Sequence, residues 1–211
     1  TYQNSVTKKI GFSEKSIQIE FNKLMHLSKG KLYFDPKKIQ DYLIHLEHCG
    51  FIEKHLDRET YFVTKSGYTF LVDNGVKSAI INLGGNVLCI GEKKKNTDFT
   101  IAVKKPFSDT GEYMELLNIN DSSVVSSGTY ERYFYSGDGT FYHHILNPKT
   151  GYPYESELCD VTIISHESTT GDCLSTTCFV LGSDKGMELI ESLDGIEAIF
   201  MKNDGTKLYS S

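Results

Sequence analysis

Asp172 and Thr176 stand four residues apart in Gly171-Asp172-Cys173-Leu174-Ser175-Thr176-Thr177. That spacing puts both on one face of a helix, one turn apart. A carboxylate and a hydroxyl so placed can hold Mg2+ through oxygen, while free amides at a helix N-terminus attract phosphate. The same carboxylate can take a proton from an acceptor hydroxyl. Asp172 at the opening of a helix equally suits an N-cap, accepting from the amides of Cys173, Leu174 or Ser175, so both roles stand open.

Three further segments carry candidate chemistry. His143-His144 precedes the turn Pro148-Lys149-Thr150-Gly151-Tyr152-Pro153. Alternation on a strand sends the two imidazoles to opposite faces, so one of them can serve a site by donating to a phosphate or moving a proton. The other is then a core or surface histidine. Gly84-Gly85, in Asn82-Leu83-Gly84-Gly85-Asn86, permits positive φ and close approach of backbone to a flat or anionic ligand, and also suits a plain β-turn. Ser126-Ser127-Gly128 reads as a loop whose hydroxyls and amides would suit a phosphate, or as a solvated turn.

These residues need a folded support, and the composition allows one. The chain has 211 residues, 39% hydrophobic and 24% charged, enough for one sizeable domain or two small ones and far from a disordered composition. No apolar run approaches the roughly 18 residues of a transmembrane helix. No charged n-region followed by an apolar stretch opens the chain, so a signal peptide is expected to be absent or already removed. Five cysteines without a CxxC spacing argue against a zinc site. Cys89, inside Val87-Leu88-Cys89-Ile90, reads as a small core hydrophobe, and the set as reduced thiols. The net charge of -6 is concentrated after residue 75, a balance that disfavours nucleic acid and suits a divalent cation beside a phosphate.

The pattern predicts an α+β chain with two parts, 1–75 and 76–211. In the second part, Ser78–Leu83, Val87–Ile90, Phe99–Val103, Tyr130–Tyr135, Thr140–Leu146, Val161–Ile164, Ile196–Phe200 and Lys207–Tyr209 read as strands. Asp172–Leu181 and Asp184–Leu193 read as helices, with Gly182 capping the first. In the first part, Ser13–Leu27 has amphipathic spacing. Asp35 and Pro36 open a second helix that ends at Gly50. Phe51–His55 and Thr60–Thr64 suggest a hairpin, and Gly67–Val72 a short helix.

Taken in order, Ile81–Asn86, Ser126–Arg132, Tyr142–Pro153 and Gly171–Thr177 resemble the ApbE-like flavin transferases. That family shows an NLGGN turn, a TSGxYERYF-like stretch, an HHIxxPKTGYP stretch and a DxLSTxxFVLG helix in this order. The resemblance runs over residues 76 to about 205 and implies an ApbE-like, T-fold-related mixed sheet with flanking helices. It implies that Asp172 and Thr176 bind Mg2+, that Asp172 and His144 act in catalysis, and that Gly84, Gly85, Asn86, Ser127, Gly128, His144 and Ile145 contact FAD. The implied reaction moves the FMN half of FAD onto a Thr or Ser of a target flavoprotein and releases AMP. Gly171 stands where the family usually has Ala.

Upstream, Thr64-Lys65-Ser66-Gly67-Tyr68 matches a DLGGIAKGY-type motif in part, with Lys65 in place of its lysine. The first part is otherwise shorter than in the family, which raises two alternatives: a flavin-binding relative without catalysis, or a winged-helix regulator fused to an ApbE remnant. Expected partners are an acceptor flavoprotein and no nucleic acid. The expected location is cytoplasmic, or the membrane surface through a removed N-terminal anchor.

Overall fold

The computed structural model describes residues 36–54, 61–108 and 111–211, with the backbone alone for 36–40 and 42. The helix expected over Ser13–Leu27 and the Asp35 cap lie outside the described residues. Helix α1 (Pro36–His48) runs to a turn at Gly50, whose φ is 70°. Strands β1 (Ile52–Lys54) and β2 (Tyr61–Val63) then pair antiparallel as the expected hairpin. Helix α2 (Lys65–Asp73) is capped by Thr64, whose Oγ1 accepts from Gly67 N at 3.1 Å and donates to Gly50 O at 2.5 Å. Gly67 has no alternative here, because a Cβ would sit 2.1 Å from Phe51 O.

Strands β3 (Ser78–Asn82), β4 (Asn86–Gly91), β5 (Phe99–Lys104), β6 (Tyr113–Ile119), β7 (Ser123–Gly128), β8 (Tyr133–Tyr135), β9 (Phe141–His143) and β10 (Leu158–Ser165) follow. The chain closes with α3 (Ser168–Leu181), α4 (Ser183–Glu191), β11 (Glu197–Lys202) and β12 (Lys207–Tyr209). The main sheet has the order β12-β11-β10-β7-β4-β3. The α+β architecture with flanking helices is the one expected, and every ladder among its described strands is antiparallel. Between β10 and β11 the chain passes through two helices rather than one, and the returning strand runs antiparallel.

Central strand β10 is buried on both faces, and its polar members Asp160 and Thr162 are as buried as its apolar ones. Val161 and Ile163 join Ala198 and Phe200 of β11 under α3 and α4, with Cys178, Phe179 and Ile190. On the opposite face Val124, Ile199, Met201 and Cys89 meet the β5–β6 hairpin through Phe99, Ile101, Val103, Met114 and Ile119. The result is three layers: helices, sheet, hairpin. Strand β5 alternates buried and exposed without exception, as a strand with one face on a core must. Tyr209 OH and Lys207 Nζ of β12 both reach Glu115 Oε2, at 2.7 and 3.2 Å, and tie the hairpin to the sheet edge.

All five cysteines are free thiols. Cys89, Cys159 and Cys178 are buried, as expected of small core hydrophobes, but Cys173 is exposed on α3. Among the described residues no helix is long and apolar enough to cross a membrane.

Candidate functional site

Helix α3 begins at Ser168, four residues before Asp172, with Glu167 at the N-cap position and no side-chain cap bond. Asp172 therefore sits in the second turn and is not the N-cap. The missed turn is Ser168-Thr169-Thr170-Gly171, which has poor helix propensity and no apolar periodicity. Tertiary contact supplies what propensity lacks. Ser168 is buried, its hydroxyl donates to Asn86 Oδ1, and Asn86 Nδ2 donates to Ser168 O at 3.5 Å. Gly171 has the same logic: a Cβ there would lie 2.9 Å from Val125 Cγ2 and 3.0 Å from Ser165 Oγ, so its absence lets α3 settle on β7 and β10.

Ser126-Ser127-Gly128 is not a loop. It is the end of β7, and its residues pair with Thr162, Val161 and Asp160 of β10. A run of serines between turn-forming residues reads as loop because its burial depends on partners far along the chain. Alternation sends Ser127 toward α3 and Ser126 and Gly128 to the other face. Ser127, fully buried, bonds Ser175 Oγ at 2.8 Å and Thr176 Oγ1 at 3.1 Å. Gly128 packs against Tyr130 and Asp160, where a Cβ would lie 2.3 Å from the Tyr130 ring.

The sequence-derived residues thus divide. Asp172 is 8% exposed, and Thr176 is half-buried one turn further along the same helix. The Gly84-Gly85 turn is exposed, with φ of 78° and 93°, and is fixed by Gly84 N donating to Asn82 Oδ1 and Ser126 N donating to Gly85 O, both at 3.1 Å. Through Asn86 it is attached to the first turn of α3. Lys65 reaches the same helix end from α2, with Nζ 2.9 Å from Glu167 Oε1. That carboxylate raises the lysine's pKa. Lys65, the glycine turn, Ser127, Asp172 and Thr176 therefore gather along α3 and the strands beneath it.

His144 and Ile145 come from the exit of β9. His143 is the buried member of the pair and His144 the half-buried one. The Ile145 side chain lies in the core beside Leu158 and Phe179. Its N–H donates to His143 Nδ1, and its carbonyl accepts from Tyr154 N. Beyond His143 opens a cavity of about 510 Å3, walled by Phe107, Tyr135, Phe141, Tyr152, Tyr154 and Phe179. Sequence reading did not single out this aromatic wall; the signal was the density of Tyr and Phe between Tyr130 and Tyr154.

The donor set at Asp172 and Thr176 is all hard oxygen, which suits Mg2+. Among the described residues no three His, Cys, Asp or Glu side chains cluster as metal ligands. A site of one carboxylate and hydroxyls fits the way Mg2+ is commonly bound, with substrate phosphates and water completing the octahedron.

A family model described as the ApbE family matches residues 61–200. The FAD:protein FMN transferase of Klebsiella pneumoniae is 45% identical over 142 residues, 67% of this chain and 43% of that protein. The FAD:protein FMN transferase of Treponema pallidum is 34% identical over 142 residues, 64% of this chain and 39% of that protein. Among solved structures, the flavin transferase ApbE of Vibrio cholerae superposes with a TM-score of 0.58 at 26% identity, covering 70% of this chain and 47% of that one. The chain spans less than half the length of these relatives over the matched stretch.

Proposed function

The chain belongs to the ApbE family, and from that premise we propose that it carries the nucleotide and metal half of an FAD:protein FMN transferase site. The observation that carries the reading is the bonding of Ser127 to Ser175 and Thr176, which sets the Asp172–Thr176 face of α3 over the sheet. Asp172 and Thr176 would hold Mg2+, which offsets charge developing on the diphosphate. Lys65 and His144 would meet the phosphates, with the Gly84-Gly85 turn and the wall behind Ile145 bounding the nucleotide. In the step, the acceptor Thr or Ser oxygen bonds to the FMN phosphorus, the phosphoanhydride bond breaks, and AMP leaves. Asp172 takes the hydroxyl proton.

The supporting facts are the family match, the relatives' names and the grouping of these residues along one helix. The test is incubation with FAD, Mg2+ and a flavin-acceptor domain, read as in-gel flavin fluorescence. A labelled acceptor band that requires Mg2+ is expected; FAD binding without a band removes the transfer step. That outcome would leave a flavin-binding relative without the transfer.

A further inference from the structure

The adjacent histidines play different parts, and the buried one has a defined chemical state. His143 is 9% exposed and stands edge-on to Phe179 of α3 at 5.6 Å. Ile145 N–H, 3.2 Å from His143 Nδ1, can only donate, so Nδ1 is the bare acceptor. The Tyr154 carbonyl, 3.1 Å from Nε2, can only accept, so Nε2 carries the proton. A single neutral tautomer satisfies both partners.

The two bonds close a loop around His144. On its N-terminal side, His143 pairs with Tyr133 in the β8–β9 ladder. On its C-terminal side, Ile145 is held through its N–H by the imidazole and through its carbonyl by Tyr154 N at 3.0 Å. The limb that follows is closed in turn, with Asn147 N donating to Tyr152 O at 2.8 Å. The His143 side chain bonds both limbs.

We propose that His143 is a positioning residue, whose neutral imidazole staples Ile145 to Tyr154 and thereby fixes the peptide from which His144 serves the transferred phosphate. The inference rests on the role given above to His144. It also yields a pH device. A proton added at Nδ1 would face the Ile145 N–H, two donors opposed, and the staple would open. Burial already holds the His143 pKa below its ordinary value. The titratable groups around it are Tyr133 and Tyr135 on β8, Tyr142 beside it on β9, His144 itself, Tyr152 and Tyr154 on the returning limb and Glu155 in the shared cavity; from α3 it meets Phe179.

The experiment uses the whole chain with FAD and Mg2+, and combines imidazole 15N NMR with transfer kinetics in wild type, His143→Phe, His143→Asn, His144→Ala and the Phe/Ala double variant. Wild type should show His143 as the neutral Nε2–H tautomer. His143→Phe should move or broaden the His144 ring signals and lower kcat by about 10- to 100-fold, the usual scale for a residue that orients a functional group. FAD affinity should change far less. His143→Asn keeps an acceptor for Ile145 N–H and should recover part of the loss, without the wild-type acid limb of the pH profile. The double variant should be no slower than His144→Ala. An Nδ1–H tautomer, additive losses, or His144 signals indifferent to His143 would overturn the proposal. If transfer is absent in wild type while the ring data hold, the enzymatic reading fails and the positioning stands. If transfer proceeds and His144 ignores His143, the positioning fails alone.

Discussion

Ser127 Oγ lies 2.8 Å from Ser175 Oγ and 3.1 Å from Thr176 Oγ1, so one buried hydroxyl of β7 holds two consecutive residues of α3. Helix rotation about its axis is thereby tied to the sheet, and with it the direction of the Asp172–Thr176 face. Ser127→Ala removes both bonds. Each net hydrogen bond is worth about 1 kcal/mol, so the melting temperature should fall by a few degrees. The sharper effect is expected in Mg2+-dependent FAD affinity, weakened about 10-fold on the scale of residues that orient metal ligands. A flavin fluorescence titration with and without Mg2+ measures it; an unchanged Mg2+ dependence would separate Ser127 from the metal face.

Gly171 makes a second, opposite test of the same packing. In an isolated helix, Gly→Ala gains about 1 kcal/mol. Here the added methyl would meet Val125 Cγ2 at 2.9 Å and Ser165 Oγ at 3.0 Å. Both neighbours are buried, on strands that cannot move apart cheaply. Gly171→Ala should therefore destabilise despite its propensity, and Val125→Ala, made in the same chain, should cost less there than it does alone. Thermal melts of the four proteins give the coupling. Stabilisation by Gly171→Ala alone would show that α3 has room to shift.

Lys65→Ala separates stability from binding. The Lys65–Glu167 pair is exposed, 80% and 48% by side chain, and such pairs contribute about 0–1 kcal/mol. The melting temperature should stay within a degree or two of wild type. FAD affinity should fall, because Lys65 is the cation placed at the α3 N-terminus, and the fall should be larger at low salt than at high salt. Equal loss at both salt concentrations would assign Lys65 a packing role instead.

The strands and helices after residue 76 were mostly legible, because alternation and 3.6-residue spacing survive wherever one face meets a core. Phe99–Lys104 shows this best. Three places were not. Strand β6 was not legible as a strand because its exposed Leu116 beside Leu117 blurs the alternation. Strand β7 hides its strand character because Ser123 and Ser127 satisfy their hydroxyls by bonds to Ser165 and Ser175, residues 42 and 48 positions away. The first turn of α3 hides because a buried Asn86–Ser168 contact, not propensity, holds it. The Asp172–Thr176 spacing was readable since it depends on helix geometry alone. The Ser168 bond of Asn86 and the core packing of Ile145 were not, since only the fold brings those partners near.

Asp160 should make stability depend on pH. It is fully buried on the hairpin side of β10, accepting from Tyr130 OH at 3.0 Å and Thr162 Oγ1 at 2.8 Å. Thr162 is bonded in turn to Ser126 at 2.8 Å. No cation bonds the carboxylate among these partners, and burial raises its pKa to about 7 against the opposing hydrogen bonds. The native state therefore keeps a proton that the unfolded chain releases near pH 4. Between those values the native state binds more protons, so stability falls as pH rises from 4 to 7 and stays reduced above. Asp160→Asn keeps the shape, an acceptor for Tyr130 and a donor toward Thr162, and carries no charge. It should match wild type within a degree or so at pH 4.5, and at pH 8 melt several degrees higher, given about 2–4 °C per kcal/mol for a domain of this size. His143 works in the other direction: held neutral in the fold, it contributes stability above pH 6.5 that is lost as pH drops below. In the Asn variant the remaining pH dependence should therefore slope upward from pH 5 to 7. A melting difference between Asn and Asp that is the same at pH 4.5 and pH 8 would mean that Asp160 is ionised throughout, with the hydrogen bonds from Tyr130 and Thr162 outweighing its burial.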